Sequence, residues 1–251
     1  MAGITNRPIW IDMGSKDPDG SRAFYSGLFG WDIQVNPDPQ YGGYSIAKLD
    51  GKDVAGIGPA FDPNAPTAWS IYIGTDDSDA LGRAVTAAGG TVVMAGMDVG
   101  DQGRMAVYQD PSGAFISAWQ SGAMSGFQAE GVGAFGWAEL TARGFDRAVP
   151  FYETLFGWTH RTSDMPDGSH YTEFLIGDKS IAGGLEMPPM VPAEVPSYWM
   201  AYFNVADVDA AHAKAVAGGA REMLAPQAMP GGRFSILTDP QGATFGLLKL
   251  G

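Results

Sequence analysis

The chain has 251 residues, 45% hydrophobic and 17% charged, with 15 Lys/Arg against 28 Asp/Glu, a formal net charge of −13 and no cysteine. The lack of cysteine excludes disulfides, thiolate metal sites and cysteine nucleophiles. The acidic balance is even along the chain, 7 − 14 = −7 over residues 1–125 and 8 − 14 = −6 over 126–251, and it opposes nucleic acid and anionic membranes as partners.

No unbroken apolar run reaches the roughly 18 residues of a membrane helix, and residues 1–7 lack a signal-peptide core; a cytoplasmic protein is the default expectation. The alternating segment 9–13 predicts a strand. Asp17-Pro-Asp-Gly-Ser then offers N-cap side chains for a helix, on which Phe24 and Leu28 share a face. Gly30 falls where a left-handed helix stop is wanted, and Trp31 opens the next strand. Strands near 31–35, 44–49 and 53–58 complete a βαβββ module. A second module opens with a strand at 69–75 and a helix begun by Asp77 or Ser78 and closed by Gly89-Gly90. Strands near 91–95, 104–109 and 114–120 follow. The Gly/Ser/Ala-rich segment 121–133 reads as a linker. The second half repeats this order, with Pro150 in or just past a first helical turn, where a missing N–H costs least.

That repetition is literal in places. Leu-Phe-Gly-Trp stands at 28–31 and again at 155–158. At the same offset of 127, Trp10-Ile-Asp12 meets Trp137-Ala-Glu139 and Phe24-Tyr25 meets Phe151-Tyr152. At 130, Trp69 meets Trp199 and Tyr72 meets Tyr202; at 129, Arg104 meets Arg233 and Asp110-Pro-Ser-Gly meets Asp239-Pro-Gln-Gly. Small changes of offset are what loop insertions produce, so the chain is a tandem duplication.

Phe-Tyr-x-x-Leu-Phe-Gly-Trp, followed later by Asp-Pro-x-Gly before a last strand, resembles the vicinal oxygen chelate superfamily of glyoxalase I, extradiol dioxygenases and bleomycin-resistance proteins. The resemblance covers nearly the whole chain. It implies an α+β fold: glyoxalase-like domains at 7–120 and 134–250, joined by the linker 121–133. Each domain would hold two βαβββ modules forming a curled mixed sheet with a cleft. It implies less about function, because this fold serves lyases, dioxygenases and metal-free binders.

Metal-using members of that superfamily hold a divalent ion with His or Glu from the first, fifth and eighth strands, donors suited to hard or borderline ions. Counting from the shared motifs, these positions fall on Trp10, Ser70 and Ser117 in the first half and on Trp137, Met200 and Gly246 in the second. No metal and no cofactor are therefore expected. His160, His170 and His212 lie outside these strands and are expected on solvated surface or loops.

Alternation along strands puts Trp10, Asp12 and Gly14 on one face, and likewise Phe115, Ser117 and Trp119. The second-half equivalents are Trp137, Glu139, Thr141 and Thr244, Gly246, Leu248. The resemblance makes this the concave face, to which Tyr44 and Tyr171 from the third strands and Tyr72 and Tyr202 from the fifth add rings. An aromatic surface with few polar groups suits a planar or hydrophobic small molecule; the competing reading is that the indoles only fill the cleft. A carboxylate on such a face needs a partner. Arg104 or Arg233 would supply an ion pair, a ligand would supply a hydrogen bond, or burial would raise the pKa and make a base. The first expectation is thus a metal-free binder of an aromatic or hydrophobic metabolite, oriented by Asp12 or Glu139. The alternative is a metal-independent enzyme, hydroxylase-like, lyase or isomerase, with one of these as general base. A metal-dependent lyase or dioxygenase is disfavoured by the missing ligands. Duplication makes one chain the equivalent of a dimer of single units, so a monomeric pseudo-dimer or a homodimer is expected.

Overall fold

The first half, in a computed structural model that describes residues 5–165 and 167–251, runs β1 (Pro8–Ser15), α1 (Pro18–Phe29), β2 (Asp32–Val35), β3 (Ser45–Leu49), β4 (Lys52–Pro59), β5 (Ala68–Gly74), α2 (Ser78–Ala87), β6 (Thr91–Val99), β7 (Gly103–Gln109) and β8 (Phe115–Ser121). The second runs β9 (Phe135–Ala142), α3 (Phe145–Phe156), β10 (Thr159–Asp164), β11 (His170–Ile176), β12 (Lys179–Glu186), β13 (Tyr198–Asn204), α4 (Val208–Ala217), β14 (Arg221–Met229), β15 (Gly232–Thr238) and β16 (Thr244–Leu250). The expected βαβββ order therefore recurs four times. Residues 1–4, part of the segment read as lacking a signal core, lie outside the described residues. Among the described residues no helix is long and apolar enough to cross a membrane.

Local chemistry explains the helix ends. Asp17 accepts from the Gly20 amide at 3.1 Å, and Asp77 accepts from Asp79 and Ala80 at 3.0 and 2.8 Å. Gly30 and Gly157 stop α1 and α3 at φ 76° and 64°, a conformation that glycine adopts without a Cβ penalty. Helix α3 has no capping side chain of its own. Instead Glu186, at the end of β12, accepts from the amides of Gly144 and Phe145 at 3.0 and 2.8 Å, placing a negative charge at the helix N-terminus. Pro150 lies inside α3 rather than at its start, which removes one amide from the helical ladder.

Each half forms one eight-stranded mixed sheet, in the orders β2-β3-β4-β1-β5-β8-β7-β6 and β10-β11-β12-β9-β13-β16-β15-β14. The first and last strands of a module pair in parallel, β1 with β4, β5 with β8, β9 with β12 and β13 with β16. The remaining pairs within each module are antiparallel.

The chain clusters into two compact units that do not follow the two halves. Among the described residues, one contains 11–70, 127–137 and 200–251; the other contains 5–10, 71–126, 138–165 and 167–199. Each unit thus joins a module of the first half to a module of the second. In the unit built on 11–70, α1 packs on α4, and Tyr25 lies among Phe24, Trp31, Trp69, Phe203 and Phe245 at ring distances of 5.0–6.2 Å. Lys214 of α4 donates to the Leu28 carbonyl in the last turn of α1 at 3.1 Å, where a cation suits the helix C-terminus. In the other unit α2 packs on α3, and Tyr152 lies among Phe151, Phe156, Trp158, Phe174 and Trp199 at 5.2–6.3 Å.

The repeated motifs meet inside these cores. Trp69 Nε1 donates to Tyr25 Oη at 2.9 Å, and Tyr25 donates to Asp239 Oδ2 at 2.9 Å. In the other unit Trp199 Nε1 donates to Tyr152 Oη at 2.7 Å, and Tyr152 donates to Asp110 Oδ2 at 2.9 Å. Burial pushes both phenols well above their ordinary pKa, and the facing carboxylates push them further. The Phe-Tyr, Trp and Asp-Pro-x-Gly signatures are one buried network, formed twice. The first tetrapeptide tryptophan serves the same unit, since Trp31 Nε1 donates to the Gly133 carbonyl of the linker at 2.7 Å.

Candidate functional site: two carboxylate–phenol pairs

Helices cover the sheet face that carries Trp69 and Trp199, so alternation leaves Ser70, Tyr72, Met200 and Tyr202 on the opposite face. Asp12 and Glu139 stand on that opposite face of β1 and β9, both half-buried, while their strand neighbours Ile11, Met13, Ala138 and Leu140 are buried.

A phenol donates to each of these carboxylates. Tyr44, immediately before β3, donates to Asp12 Oδ2 at 3.3 Å. Its ring reaches across β4, where Asp12 registers with Gly56. A Cβ on Gly56 would fall within the Tyr44 hydroxyl group, and one on Gly58 would crowd the ring edge at 2.9 Å. These glycines are what let the ring lie flat across the strand. Gly56→Ala is expected to displace Tyr44 and to lower stability by about 1–3 kcal/mol as overpacking. Urea melts check this, and an unchanged midpoint would show that the ring swings away at no cost.

In the second half Tyr171 of β11 donates to Glu139 Oε2 at 2.9 Å, with Glu139 in register with Gly183 on β12. A residue that sequence reasoning missed joins this pair. Tyr198, the first residue of β13, has its phenol pKa raised by burial; a hydrogen bond with the Thr141 side chain lowers it, and the Glu139 charge raises it. The signal was present, because Tyr198 precedes Met200 by two positions and so shares its face.

The other expected site residues divide by accessibility. Trp10, Tyr72, Ser117, Trp119, Met200 and Tyr202 are buried, Trp10 and Met200 to 2% exposure, whereas Ser70 and Trp137 are half-buried. Tyr72 and Trp119 pack edge to face at 6.5 Å, and Tyr72 registers with Ser117. Tyr202 registers with Gly246, whose missing side chain leaves room for the Tyr202 ring.

Arg104 and Arg233 are a correction. On β7 the Arg104 face is the one from which Tyr108 donates to the Ser78 carbonyl of α2 at 3.0 Å, so its guanidinium lies on the helix side. There Arg104 donates to Asp98 and Asp79 at 3.0 and 3.2 Å and to the Gly96 carbonyl at 3.0 Å. Arg233 donates to both oxygens of Asp209 at 2.7 Å, holding that carboxyl below its usual range. Both arginines tie helix starts to neighbouring strands. His212 is a second correction: it is 7% exposed rather than solvated, with Nε2 2.9 Å from Glu222 Oε2. His160 and His170 are exposed and lie 2.7 and 2.9 Å from Glu153 and Asp164.

Two segments, 7–117 and 134–247, match the Glyoxalase/Bleomycin resistance protein/Dioxygenase superfamily. The chain belongs to this superfamily. It is 41% identical over 249 residues to CFP32 of Mycobacterium bovis, provisionally named a glyoxylase, covering 96% of this chain and 94% of that one. It is 39% identical over 258 residues to the anthracycline biosynthesis protein DnrV of Streptomyces peucetius, covering 97% and 93%. Two solved structures share the superfamily fold. The Mn(II)-bound glyoxalase from Novosphingobium aromaticivorans has a TM-score of 0.67 at 17% identity, covering 97% of this chain and 82% of that one. The 2,3-dioxygenase LapB from Pseudomonas sp. KL28 has a TM-score of 0.68 at 14% identity, covering 98% and 93%.

The superfamily's metal does not fit the residues present. Trp10, Ser70 and Ser117, or Trp137, Met200 and Gly246, offer neither imidazole nor carboxylate, and the Tyr202 ring lies against Gly246. Among the described residues no three His, Cys, Asp or Glu side chains group as a metal site.

Proposed function

We propose that this chain is a metal-free small-molecule binding protein of the glyoxalase/bleomycin-resistance type. Its ligand is a planar aromatic or hydrophobic metabolite, held at the helix-free sheet faces and oriented by the carboxylate–phenol pairs Asp12–Tyr44 and Glu139–Tyr171. The observation that carries the reading is the pairing itself. Each half-buried carboxylate accepts from a tyrosine hydroxyl, which sets a polar, hydrogen-bonding point beside aromatic rings. Identity to a protein named for anthracycline biosynthesis supports a fused-ring ligand. The partner is then a small molecule rather than nucleic acid or membrane, met in the cytoplasm by a chain that acts as a monomeric pseudo-dimer or as a homodimer.

The test uses 1,8-dihydroxyanthraquinone as probe, titrated against tryptophan fluorescence, with elemental analysis of the same preparation. Saturable quenching and well under one Fe, Mn, Ni or Zn per chain are expected. Near-stoichiometric metal that is lost on mutating Asp12 or Glu139 would overturn the metal-free reading, and absence of saturable binding would overturn the ligand class. The enzyme reading, with Asp12 or Glu139 as general base, predicts turnover of the bound compound that Asp12→Asn or Glu139→Gln abolishes at saturating ligand.

A further inference from the structure

The two halves share a fold but not a site. At the offsets that align them, Thr141 stands where the first half has Gly14, and Tyr198 stands where it has Ala68. Two positions that carry hydroxyl groups near Glu139 are thus occupied by residues without one in the aligned first half. The carboxylate–phenol contact is shorter in the second half, 2.9 Å for Tyr171–Glu139 against 3.3 Å for Tyr44–Asp12. The indole two residues before each carboxylate differs as well: Trp137 is half-buried, whereas Trp10 is 2% exposed. Thr141 registers with Leu185 as Glu139 does with Gly183, so both side chains rise from one face of β9 two residues apart. Tyr198 enters from the first position of β13, the strand next to β9 in the sheet.

Building on the proposed binding function, we infer that the second half holds the single working site, in which Glu139, Tyr171, Tyr198 and Thr141 cradle the hydroxyl edge of a phenolic or enolic aromatic ligand. The chemistry favours that ligand class. A carboxylate accepts a hydrogen bond from an acidic ring hydroxyl, and charge-assisted O–H···O⁻ bonds are short and strong. A phenol has one proton and also accepts, so Tyr171, which donates to Glu139, can accept from a ring hydroxyl, and Tyr198 can donate to an adjacent carbonyl on the same ring edge. Burial supports the assignment, since the Tyr198 phenol is desolvated and feels the Glu139 charge. A ligand whose hydroxyls are methylated cannot donate to Glu139 and adds bulk at the same edge, so the site distinguishes it from the free hydroxyl compound.

Calorimetric titration of the full chain with 1,8-dihydroxyanthraquinone, and with its dimethyl ether, tests this. One molecule of the dihydroxy compound is expected per chain, with the dimethyl ether at least tenfold weaker. Glu139→Gln is expected to weaken the dihydroxy compound roughly tenfold to hundredfold, at least fivefold more than Asp12→Asn does. Tyr198→Phe, which removes one oxygen and keeps the ring, is expected to weaken it about three- to tenfold in a chain that still unfolds in one cooperative transition. Two equivalent molecules per chain, equal effects of the two acidic substitutions, or equal affinity for the two anthraquinones would each overturn the inference while leaving small-molecule binding intact. Failure of the wild-type chain to bind either compound would sink the binding reading and this inference with it.

Discussion

Asp239→Ala is expected to lower the stability of the chain by about 3–5 kcal/mol. Asp239 Oδ2 accepts from Tyr25 Oη, and Oδ1 accepts from the amides of Gln241 and Ala243 at 2.9 and 2.8 Å. Tyr25 has no solvent exposure, so its hydroxyl would lose its acceptor where water cannot replace it. Each buried polar group left unmatched costs roughly 1–3 kcal/mol. For a chain of this size the loss amounts to roughly 10 °C in melting temperature. Asp110→Ala is expected to match it, because Asp110 accepts from Tyr152, Ser112 and Ala114 in the same way. A melting temperature within about 1 °C of wild type for either variant would show that the network does not hold the modules together.

Asp239 also carries a pH signature. Burial raises its pKa above the ordinary 3.8, with the loop amides and Tyr25 opposing. The folded chain therefore keeps the proton to a higher pH than the unfolded chain. The stability linked to that proton is fully present below 3.8 and is lost as pH rises through the folded pKa. Asp239→Asn cannot titrate. Acidification from neutral pH into the window just above 3.8 should thus shift the stability difference in favour of the wild type. Paired thermal melts at pH 7 and pH 4.5 give the sign, and a shift toward the variant would contradict the burial of this carboxyl.

Trp10→Ala is the second large effect. Trp10 is 2% exposed and among the largest fully buried side chains, and truncating a buried tryptophan costs about 3–5 kcal/mol through lost transfer energy and a residual cavity. Trp137 occupies the equivalent place but is half-buried, so Trp137→Ala should cost clearly less stability and, on the proposed binding function, act mainly on ligand affinity. The pair separates packing from recognition at positions the duplication makes equivalent. Equal urea midpoints for the two variants would mean that the difference in burial has no energetic consequence.

Much of this was legible from residues in a row. The caps at Asp17 and Asp77, the stops at Gly30 and Gly157 and the order of strands follow from local preferences that act within a turn or two of chain. The face carrying Asp12, Glu139 and Thr141 follows from the two-residue period of a strand. Arg104 and Arg233 were misjudged because charge complementarity alone does not tell which face of β7 or β15 a side chain takes; Tyr108 and the helix starts decided it. Tyr198 was missed because the offset of 130 sets it against Ala68, so the repeat that exposed the other residues concealed this one.

The sequence by itself determined that the chain is two copies of a βαβββ-βαβββ unit, that each copy puts one carboxylate among aromatic rings, and that the metal-ligand positions carry no suitable donors. Which module packs on which was decided only in three dimensions. Tyr25 had two chemically identical partners available, Asp110 in its own half and Asp239 in the other, each opening an Asp-Pro-x-Gly turn. An amphipathic helix shows that it needs a partner face without showing whose. The structure pairs Tyr25 with Asp239 and Tyr152 with Asp110, because burying α1 against α4 and α2 against α3 encloses both phenols and both carboxylates at once. That choice rests on shape and burial summed over whole modules, a quantity no local stretch of residues contains.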